Sequence, residues 1–403
     1  MFKSPNFLET LVVRLIQKIL ALSHQIYVKT GYQFLYTMRM RIVIICKYWK
    51  SFHSVLEKNM PVGYPLVARI AVILVTVASS FHTATAAEEL NLYSSRHYET
   101  DDRLFTDFEN QTGIRINRIE GNADELIARM RAEGRNSPAD ILLAVDTSRL
   151  QRAKVAGVLQ QINSQVLETR IPGYLQDNEN YWFGFSMRAR IIFYDKKDVS
   201  NPPRTYLELA ANQYKGQVCS RSATNSYTQT LLAAIIQNHG KKIAKEWAAG
   251  VVENFARAPQ GGDTDQLRAL ISGECDISLS NTYYFARSLR ISVKGLSGKG
   301  QSDIGWVFPS QAAEGAHMNL SGGGVAAHAP NKANAVKFLE YLTSDKAQEH
   351  FSAGNDEYPA VPGVSVSPSV AALGFFKPDD IDLSEVAKNI PAAQVIFNEV
   401  GWK

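Results

Sequence analysis

The stretch Asp140-Ile-Leu-Leu-Ala-Val145 decides the fold class, because five of its six residues are apolar and no polar residue interrupts them. A strand with this pattern is covered on both faces, as in a parallel sheet that lies between layers of helices. The sequence therefore predicts a buried strand of an α/β domain here. The chain on either side must supply the neighbouring strands and the helices that cover them.

Two strand-and-helix pairs come before this strand. Residues 90–94 predict a strand, and Thr100, followed by two acidic residues, predicts the start of a helix that ends at Gly113. Residues 114–119 predict a second strand, and Asn122 then caps a second helix. A third helix follows the buried strand. This alternation predicts a doubly wound, mostly parallel α/β domain, which binds its ligands at the carboxyl ends of the strands.

A second series of the same kind follows an extended, aromatic-rich segment at residues 182–194. Its predicted elements are strands at 217–219 and 276–280 and helices from about Thr205, over 226–238, from Lys241 and over 264–272. Near the end of the chain come a glycine-rich strand at 322–327 and helices at 333–342 and 345–351. The predicted fold is therefore two doubly wound α/β lobes that are joined by two extended crossings, with a hinged cleft between them. We assign residues 88–187 and 310–375 to lobe 1 and residues 188–309 and 376–403 to lobe 2.

The first 87 residues form a predicted leader. Residues 70–78 are an apolar core that follows Arg69, and Ala84-Thr-Ala86 is a small-x-small cleavage pattern, so residues 60–87 predict a cleaved secretory signal peptide. The alternative, a membrane anchor, needs a longer apolar run of roughly 20 residues. Residues 1–59 are a doubtful leader extension: a long basic region, a membrane-surface segment, or sequence upstream of the true start, which we favour.

The charge of the exported part argues against a nucleic-acid partner. Residues 1–87 hold ten of the 43 Lys and Arg and two of the 39 Asp and Glu, so the remainder has 33 basic and 37 acidic residues and a net charge of −4. A nucleic-acid footprint requires clustered basic residues, which this part lacks. We expect an exported monomer in the periplasm.

The cysteines leave two possibilities open. Cys46 lies in the leader, while Cys219 and Cys275 lie in the exported part. An even pair in an oxidising compartment is compatible with one disulfide. The alternative is two buried free thiols, because each cysteine lies in an apolar, strand-like run.

Four tyrosines follow the carboxyl ends of predicted strands. They are Tyr98 after the first strand, Tyr227 at a helix start capped by Thr224 or Asn225, and the neighbours Tyr283 and Tyr284 where the last strand of the second series gives way to a helix. Taken singly, each is more often a half-buried aromatic whose hydroxyl is hydrogen-bonded. Taken together, with His97 beside Tyr98, they place phenols where the cleft should lie.

Phenols at such a site favour ferric iron. A phenol ionises near pH ~10, so only a strongly Lewis-acidic ion holds several phenolates at neutral pH. Calcium, magnesium and zinc prefer carboxylates, carbonyls, imidazole or thiolate. Three phenolates neutralise Fe³⁺ and a fourth leaves the site at −1, so a nearby cation would help. Arg188 is the candidate; the alternative is an arginine at a solvated strand edge.

At these residues the chain resembles the periplasmic ferric-iron-binding proteins of ABC transporters, in the tyrosine-rich branch that binds iron without a partner anion. The segments that carry the resemblance are Leu92-Tyr-Ser-Ser-Arg-His-Tyr98, Gly184-Phe-Ser-Met-Arg-Ala-Arg190, Cys219-Ser-Arg-Ser-Ala-Thr-Asn-Ser-Tyr227 and Gly273-Glu-Cys-Asp-Ile-Ser-Leu-Ser-Asn-Thr-Tyr-Tyr284. It extends from about residue 89 to the end of the chain.

The resemblance implies a type II periplasmic-binding-protein fold, similar to one lobe of transferrin, that closes on Fe³⁺ and docks on an inner-membrane ABC permease. It makes Tyr98, Tyr227, Tyr283 and Tyr284 the phenolate ligands, with His97 as a fifth ligand or close neighbour and Arg188 as the cation beside the metal. The acidic ligand of the anion-dependent branch has no counterpart, since Val145 occupies its position. Asp146, the next residue, is then expected near the metal without ligating it, and Tyr98 fills the vacancy.

Two other functions are considered. One is a binding protein for another small solute, such as an organic anion held by Arg188 and helix N-termini. The other is a secreted enzyme that uses acids and histidines in the cleft. The sequence contains no nucleophile elbow and no zinc-binding spacing that would support an enzyme. It also contains no phosphate loop, because Gly322-Gly-Gly324 lacks both the spacing and the lysine of that motif. We therefore expect a binding protein and not an enzyme.

Overall fold

The structure, a computed structural model, describes residues 88–96, 98–298 and 300–403, which belong to one compact unit. The predicted leader extension, the signal peptide, Cys46 and His97 lie outside the described residues. Within the described part of the chain, every helix is too short or too polar to span a bilayer.

Strands and helices alternate through most of the described chain. The strands are Glu89–Ser94 (β1), Arg115–Glu120 (β2), Ile141–Val145 (β3), Phe183–Asp195 (β4), Val218–Cys219 (β5), Ile277–Asn281 (β6), Ile304–Val307 (β7), Met318–Val325 (β8) and Tyr358–Pro359 (β9). The α-helices are Asp102–Thr112 (α1), Ala123–Glu133 (α2), Thr147–Val155 (α3), Gln165–Arg170 (α4), Ser226–Glu253 (α5), Asp263–Ser272 (α6), Thr282–Arg290 (α7), Lys332–Leu342 (α8), Asp345–Asn355 (α9), Pro368–Ala371 (α10), Leu383–Lys388 (α11) and Ile390–Val400 (α12).

The sheet follows the order β2-β1-β3-β8-β4-β6-β5, and β7 and β9 also pair with β4. The pairs β1–β2, β1–β3 and β5–β6 are parallel, whereas β8 runs antiparallel to both of its neighbours. All five residues of β3 are buried, as the apolar stretch at 140–145 predicts. The prediction of an α/β protein is confirmed.

Strand β4 is shared by the two halves of the sheet. From Phe183 to Ala189 it pairs with β8, and from Arg190 to Tyr194 it pairs with β6. One hydrophobic cluster packs around β1, β3 and the first residues of β4, while two other clusters pack around β5, β6 and the last residues of β4. We refer to these halves as the first and second lobes; their residue boundaries stay a prediction.

One predicted helix of the second lobe is not formed, and the predicted break between two others is confirmed. The helix expected from about Thr205 is wrong: residues Leu207–Ala210 form only a short 3-10 turn. One reason is that the indole N–H of Trp247 donates to the Tyr206 carbonyl at 2.6 Å, so this carbonyl also serves a tertiary contact. The two helices expected over 226–238 and from Lys241 are separated as predicted, because within the span of α5 the backbone of Gly240 is not helical (φ 81°, ψ 162°), a conformation that glycine adopts readily.

Cys219 and Cys275 form a disulfide, so the first of the two possibilities holds in this structure. Cys219 ends β5, and Cys275 lies two residues before β6, the parallel neighbour of β5. Their Cα atoms are 5.9 Å apart and both side chains are buried. The bond therefore fastens two adjacent strands whose carboxyl ends lead toward Tyr227 and Tyr283.

Replacing both cysteines with alanine is expected to lower the free energy of unfolding. The bond closes a loop of 56 residues, and the entropy of such a loop corresponds to about 4 kcal/mol. Denaturant unfolding of residues 88–403 with and without reductant measures the effect, and the double variant should not respond to reductant. Two free thiols in the unreduced, denatured protein would contradict the bridge.

Candidate metal centre

Tyr283 and Tyr284 are the second and third residues of α7. Strand β6 ends at Asn281, which is also the N-cap of α7, so both phenols follow a strand end directly, as predicted. Their ring centroids are 4.1 Å apart, and Tyr283 is only 2% exposed. The pair is thus held by the turn from a buried strand into a helix.

Tyr227 lies beside this pair. It is the second residue of α5, and its backbone N–H donates to the Oδ1 atom of Asn225 at 3.1 Å, so Asn225 rather than Thr224 is the cap. Its hydroxyl oxygen lies 3.4 Å from that of Tyr283. The second lobe therefore brings three phenols together at the ends of β5 and β6.

Tyr98 comes from the first lobe, between β1 and a 3-10 turn at Glu99–Asp101. Its ring lies 4.9 Å from the guanidinium carbon of Arg96 and 5.8 Å from that of Arg287, which belongs to α7. Tyr98 also interacts electrostatically with Tyr227 and Arg188. All four predicted tyrosines are therefore assembled where the two lobes meet.

Burial raises the pKa of three of these phenols above the ordinary value. For Tyr98 the charge of Glu357 adds to burial, while Arg96 opposes it. For Tyr283 the other phenols add to the effect, and for Tyr284 the charge of Asp263 does so. These phenols are consequently neutral at pH 7 in the metal-free protein, and each releases a proton if it becomes a metal ligand.

Arg188 lies on β4 and is 0% exposed, so the strand-edge alternative is wrong. Its Nη1 atom donates to the Oγ atom of Ser321 at 2.8 Å and lies 3.6 Å from a carboxylate oxygen of Glu357. Among the described residues, its Nε and Nη2 atoms are buried without a hydrogen-bond partner. The guanidinium carbon is 5.7 Å from the ring centroid of Tyr227.

Arg188 places a positive charge next to three of the phenols. Burial lowers its pKa, but the oxygens of Tyr227, Glu357, Tyr283 and Tyr98 outweigh this effect, so the pKa is raised overall. A fixed positive charge with unused N–H donors beside three of the phenols favours their anionic form. This is the arrangement that the charge count for four phenolates requires.

Asp146 belongs to a different hydrogen-bond network. It caps α3 by accepting from the backbone N–H and the hydroxyl of Ser148, at 2.9 and 2.6 Å. Its other oxygen accepts from Thr230 at 3.2 Å and from Asn319 at 2.9 Å. Four hydrogen bonds thus occupy the carboxylate, and its role near a metal stays a prediction.

The donor set of the candidate site is phenolic. Within the described residues there is no group of three or more His, Cys, Asp and Glu that could hold a metal ion. His97 is not described, so its role as a ligand or neighbour stays a prediction. Sequence patterns typical of zinc or calcium sites therefore have no counterpart in the described geometry.

A cavity of about 360 Å³ borders the phenols on one side. Tyr284 forms part of its wall, together with Arg221, Arg268 and Arg287 and the N-terminal residues of α6. Asp263, which starts α6, is bonded to Arg190 and Arg221. Two aspartates also line the cavity, and Asp265 pairs with Arg268 at 2.8 Å, so the lining carries only a small net positive charge.

Most of the charged residues that surround the phenols were not predicted from the sequence. Arg96 lies two residues before Tyr98 and pairs with Asp101 at 2.9 Å and with Glu357 at 3.4 Å. Glu357 lies 261 positions beyond Arg96 in the chain. The motif around His97 contains Arg96 and was a usable signal, but nothing local marks Glu357.

The fold and this cleft define the class of protein. The chain matches the family described as bacterial extracellular solute-binding protein over residues 103–377. It therefore belongs to the bacterial extracellular solute-binding proteins.

Individual relatives within that class are also similar to this chain. Iron uptake protein A1 of Synechocystis sp. is 46% identical over 317 residues, which cover 78% of this chain and 88% of the relative. A Trichodesmium protein (IdiA, FutA), solved in complex with iron and citrate ligands, has a TM-score of 0.75 at 47% identity and covers 78% of this chain and 100% of its own. A ferric binding protein from Campylobacter jejuni has a TM-score of 0.72 at 40% identity, with the same coverage. The predicted type II periplasmic-binding-protein fold and the resemblance are confirmed.

Proposed function

We propose that this protein captures Fe³⁺ in the cleft between its lobes and delivers it to an inner-membrane ABC permease. The observation that carries the proposal is the gathering of Tyr98, Tyr227, Tyr283 and Tyr284 in one cluster, with the buried Arg188 against the ring of Tyr227. The names of the relatives, an iron uptake protein and a ferric binding protein, support the same metal. The protein binds its solute and catalyses no reaction.

The chemistry of the donors supports ferric iron over other metals. Hard, highly charged cations prefer anionic oxygen ligands, and phenols supply these only when the metal displaces their protons. Because burial raises the pKa of three of the phenols, a weakly acidic cation does not compete well with those protons. Ferric iron does, and Arg188 compensates the surplus negative charge.

Closure of the cleft and capture of the metal form a single event in this proposal. The second lobe supplies three phenols and the first lobe supplies Tyr98, so a separated second lobe offers an incomplete set of ligands. The strand β4 passes between the lobes and is the natural hinge. His97 completes the first lobe's contribution in this proposal.

The remaining parts of the proposal concern export and partners. Residues 60–87 act as a cleaved signal peptide, and the mature chain works in the periplasm as a monomer. Its family, the extracellular solute-binding proteins, supports a location outside the cytoplasm. The iron-loaded, closed form is the one that docks on the permease.

Loading residues 88–403 with ferric citrate tests the proposal. Phenolate-to-iron charge transfer is expected to colour the protein, and metal analysis after desalting is expected to find equimolar iron. A colourless product without retained iron would rule out the assignment. The spectrum and the metal content are measured on the same sample, because adventitious iron on the surface would contribute iron without the colour.

One alternative solute has an observation in its favour. The cavity beside Tyr284 is lined by three arginines and two aspartates, and this small positive excess favours a small organic anion, either alone or together with the metal. Calorimetric titration of the metal-free protein with citrate separates the two functions. Tight binding of citrate without iron, and no colour with iron, would favour the anion-binding protein over the iron-binding one.

A further inference from the structure

We propose that the tripeptide Asn355–Asp356–Glu357 is the positioning element of the metal centre, because its three side chains tie together the separate segments that carry the phenols and Arg188. This inference rests on the proposed function, in which the phenol cluster is the metal site. None of the three residues is a candidate ligand.

The tripeptide is buried to a degree that is unusual for such polar residues. It runs from the last residue of α9 to the residue before β9, and its residues are 1%, 0% and 0% exposed. Burying two carboxylates and an amide is costly unless each is paired. Asp356 is the C-cap of α9 and adopts a left-handed backbone conformation, with φ of 62°, which aspartate tolerates better than most residues.

Asn355 holds the segment that carries Tyr98. Its side-chain nitrogen donates to Asp101 at 2.8 Å, and its side-chain oxygen accepts from the hydroxyl of Thr100. Asp101 in turn donates its backbone N–H to the carbonyl of Tyr98 at 2.9 Å. The position of Tyr98 is therefore linked to Asn355 through only one intervening residue.

Asp356 holds the helix that carries Tyr283 and Tyr284. Arg290, at the end of α7, donates to both carboxylate oxygens of Asp356 at 2.9 and 2.8 Å, and Arg287 lies 3.6 Å from one of them. The preceding helix, α9, packs in the core of the first lobe, whereas α7 packs in a core of the second. These ion pairs thus join the two lobes beside the phenols.

Arg287 also touches the phenols themselves. Its guanidinium carbon lies 5.6 Å from the ring centroid of Tyr283 and 5.8 Å from that of Tyr98. Its Nη2 atom donates to the carbonyl of Asn355 at 3.5 Å. The tripeptide therefore reaches one phenol from each lobe through a single arginine.

Glu357 holds the two arginines on the other side of the cluster. It accepts from Ser186 at 2.7 Å and from Arg96 at 3.4 Å, and it lies 3.6 Å from Arg188. Arg96 contacts the ring of Tyr98, and Arg188 contacts the ring of Tyr227. Opening the cleft must strain or break the bonds that Asn355 and Asp356 make to Arg287 and Arg290 of α7, so retention of iron should depend on them.

The substitution Asp356→Asn in the full chain tests this role, because it removes the charge and keeps the shape. We expect iron to dissociate into excess chelator about tenfold faster than from the wild type, within the range typical of coupled sites. The phenolate-to-iron band is also expected to weaken or shift, since the phenols are held less firmly. A loss of stability alone would move neither quantity in the loaded protein.

Asp177→Asn is the matched control. Asp177 is equally buried and ion-paired, but its partners are Lys154 at 2.8 Å and the backbone N–H groups of Glu179 and Tyr181. This variant is expected to lose stability without changing the dissociation rate or the band. If Asp356→Asn does not fold, Arg290→Gln removes the same ion pair from the half-exposed side, and the same acceleration is expected.

The outcomes separate the two proposals. If the wild type is coloured but Asp356→Asn or Arg290→Gln releases iron at the wild-type rate, the positioning role alone is overturned. The same holds if Asp177→Asn releases iron as fast as Asp356→Asn. A wild type that neither colours nor retains iron would overturn the proposed function and the positioning role with it.

Discussion

Replacing Tyr283 and Tyr284 together with phenylalanine is expected to abolish iron retention and visible colour. The substitution removes two of the four phenolates and leaves the two rings, whose centroids are 4.1 Å apart, in place. Mutation of a residue that only orients a metal ligand typically lowers the affinity for the metal by about 10- to 100-fold. Removing a ligand itself should therefore lower the affinity for iron by more than about 10²-fold for each hydroxyl lost. Visible spectra and metal analysis after loading with ferric citrate measure the effect.

Tyr214→Phe is the control for this experiment. Tyr214 is also buried, but its hydroxyl donates to the carbonyl of Asn201 at 3.0 Å, outside the phenol cluster. This variant should retain both iron and colour. If the Tyr283→Phe, Tyr284→Phe double variant keeps the colour of the wild type, the phenols at this helix start are not ligands.

The second large effect is the release of iron on acidification. Burial raises the pKa of Tyr98, Tyr283 and Tyr284, so all three phenols are protonated at neutral pH without metal and must lose protons to ligate. Each exchanged proton changes the apparent affinity by about tenfold per pH unit. Three such phenols then lower the affinity by about 10³-fold for each unit of acidification.

A proton count on loading measures this linkage directly. Iron is added as a chelate of known protonation to the weakly buffered protein, and the released protons are titrated. The Tyr283→Phe variant is expected to release one proton fewer than the wild type for each iron bound. Equal retention of iron in mildly acidic and neutral buffer would contradict phenolate ligation.

The same pKa shifts affect the stability of the metal-free protein in the opposite pH range. A phenol whose folded-state pKa is raised stabilises the fold below the ordinary phenol value of about 10 and loses this contribution as the pH rises above it. The metal-free protein should therefore be sensitive to alkali, while the iron-loaded protein is sensitive to acid.

Local patterns in the sequence were sufficient to predict the elements that hold the phenols. The strand predicted at 276–280 and the helix cap predicted at Thr224 or Asn225 follow from local signals, because strand pattern and helix capping depend on neighbouring residues. Both predictions hold in the structure, and so does the position of each phenol at a strand end. The fold class follows from the same alternation of strands and helices.

The charged surroundings of the site were not predictable in this way. Arg188 is compatible with a buried cation or with a solvated edge until the strands on both sides of β4 are known. Glu357 meets Arg96 across 261 positions, and no local pattern encodes such a contact. The short turn after Tyr206 has a similar cause, because a tryptophan from α5 binds its carbonyl.

The place of β8 in the sheet has a consequence for the speed and order of folding. This strand lies between β3 and β4, which end more than 120 positions before it begins. A chain that emerges from its amino end must leave the facing edges of β3 and β4 unpaired until residue 318 arrives. Such distant pairing makes folding slow and exposes strand edges that promote aggregation. The first lobe is synthesised first, but its sheet is completed only when β8 inserts between β3 and β4. Until then, the unpaired edges of β3 and β4 need protection from aggregation.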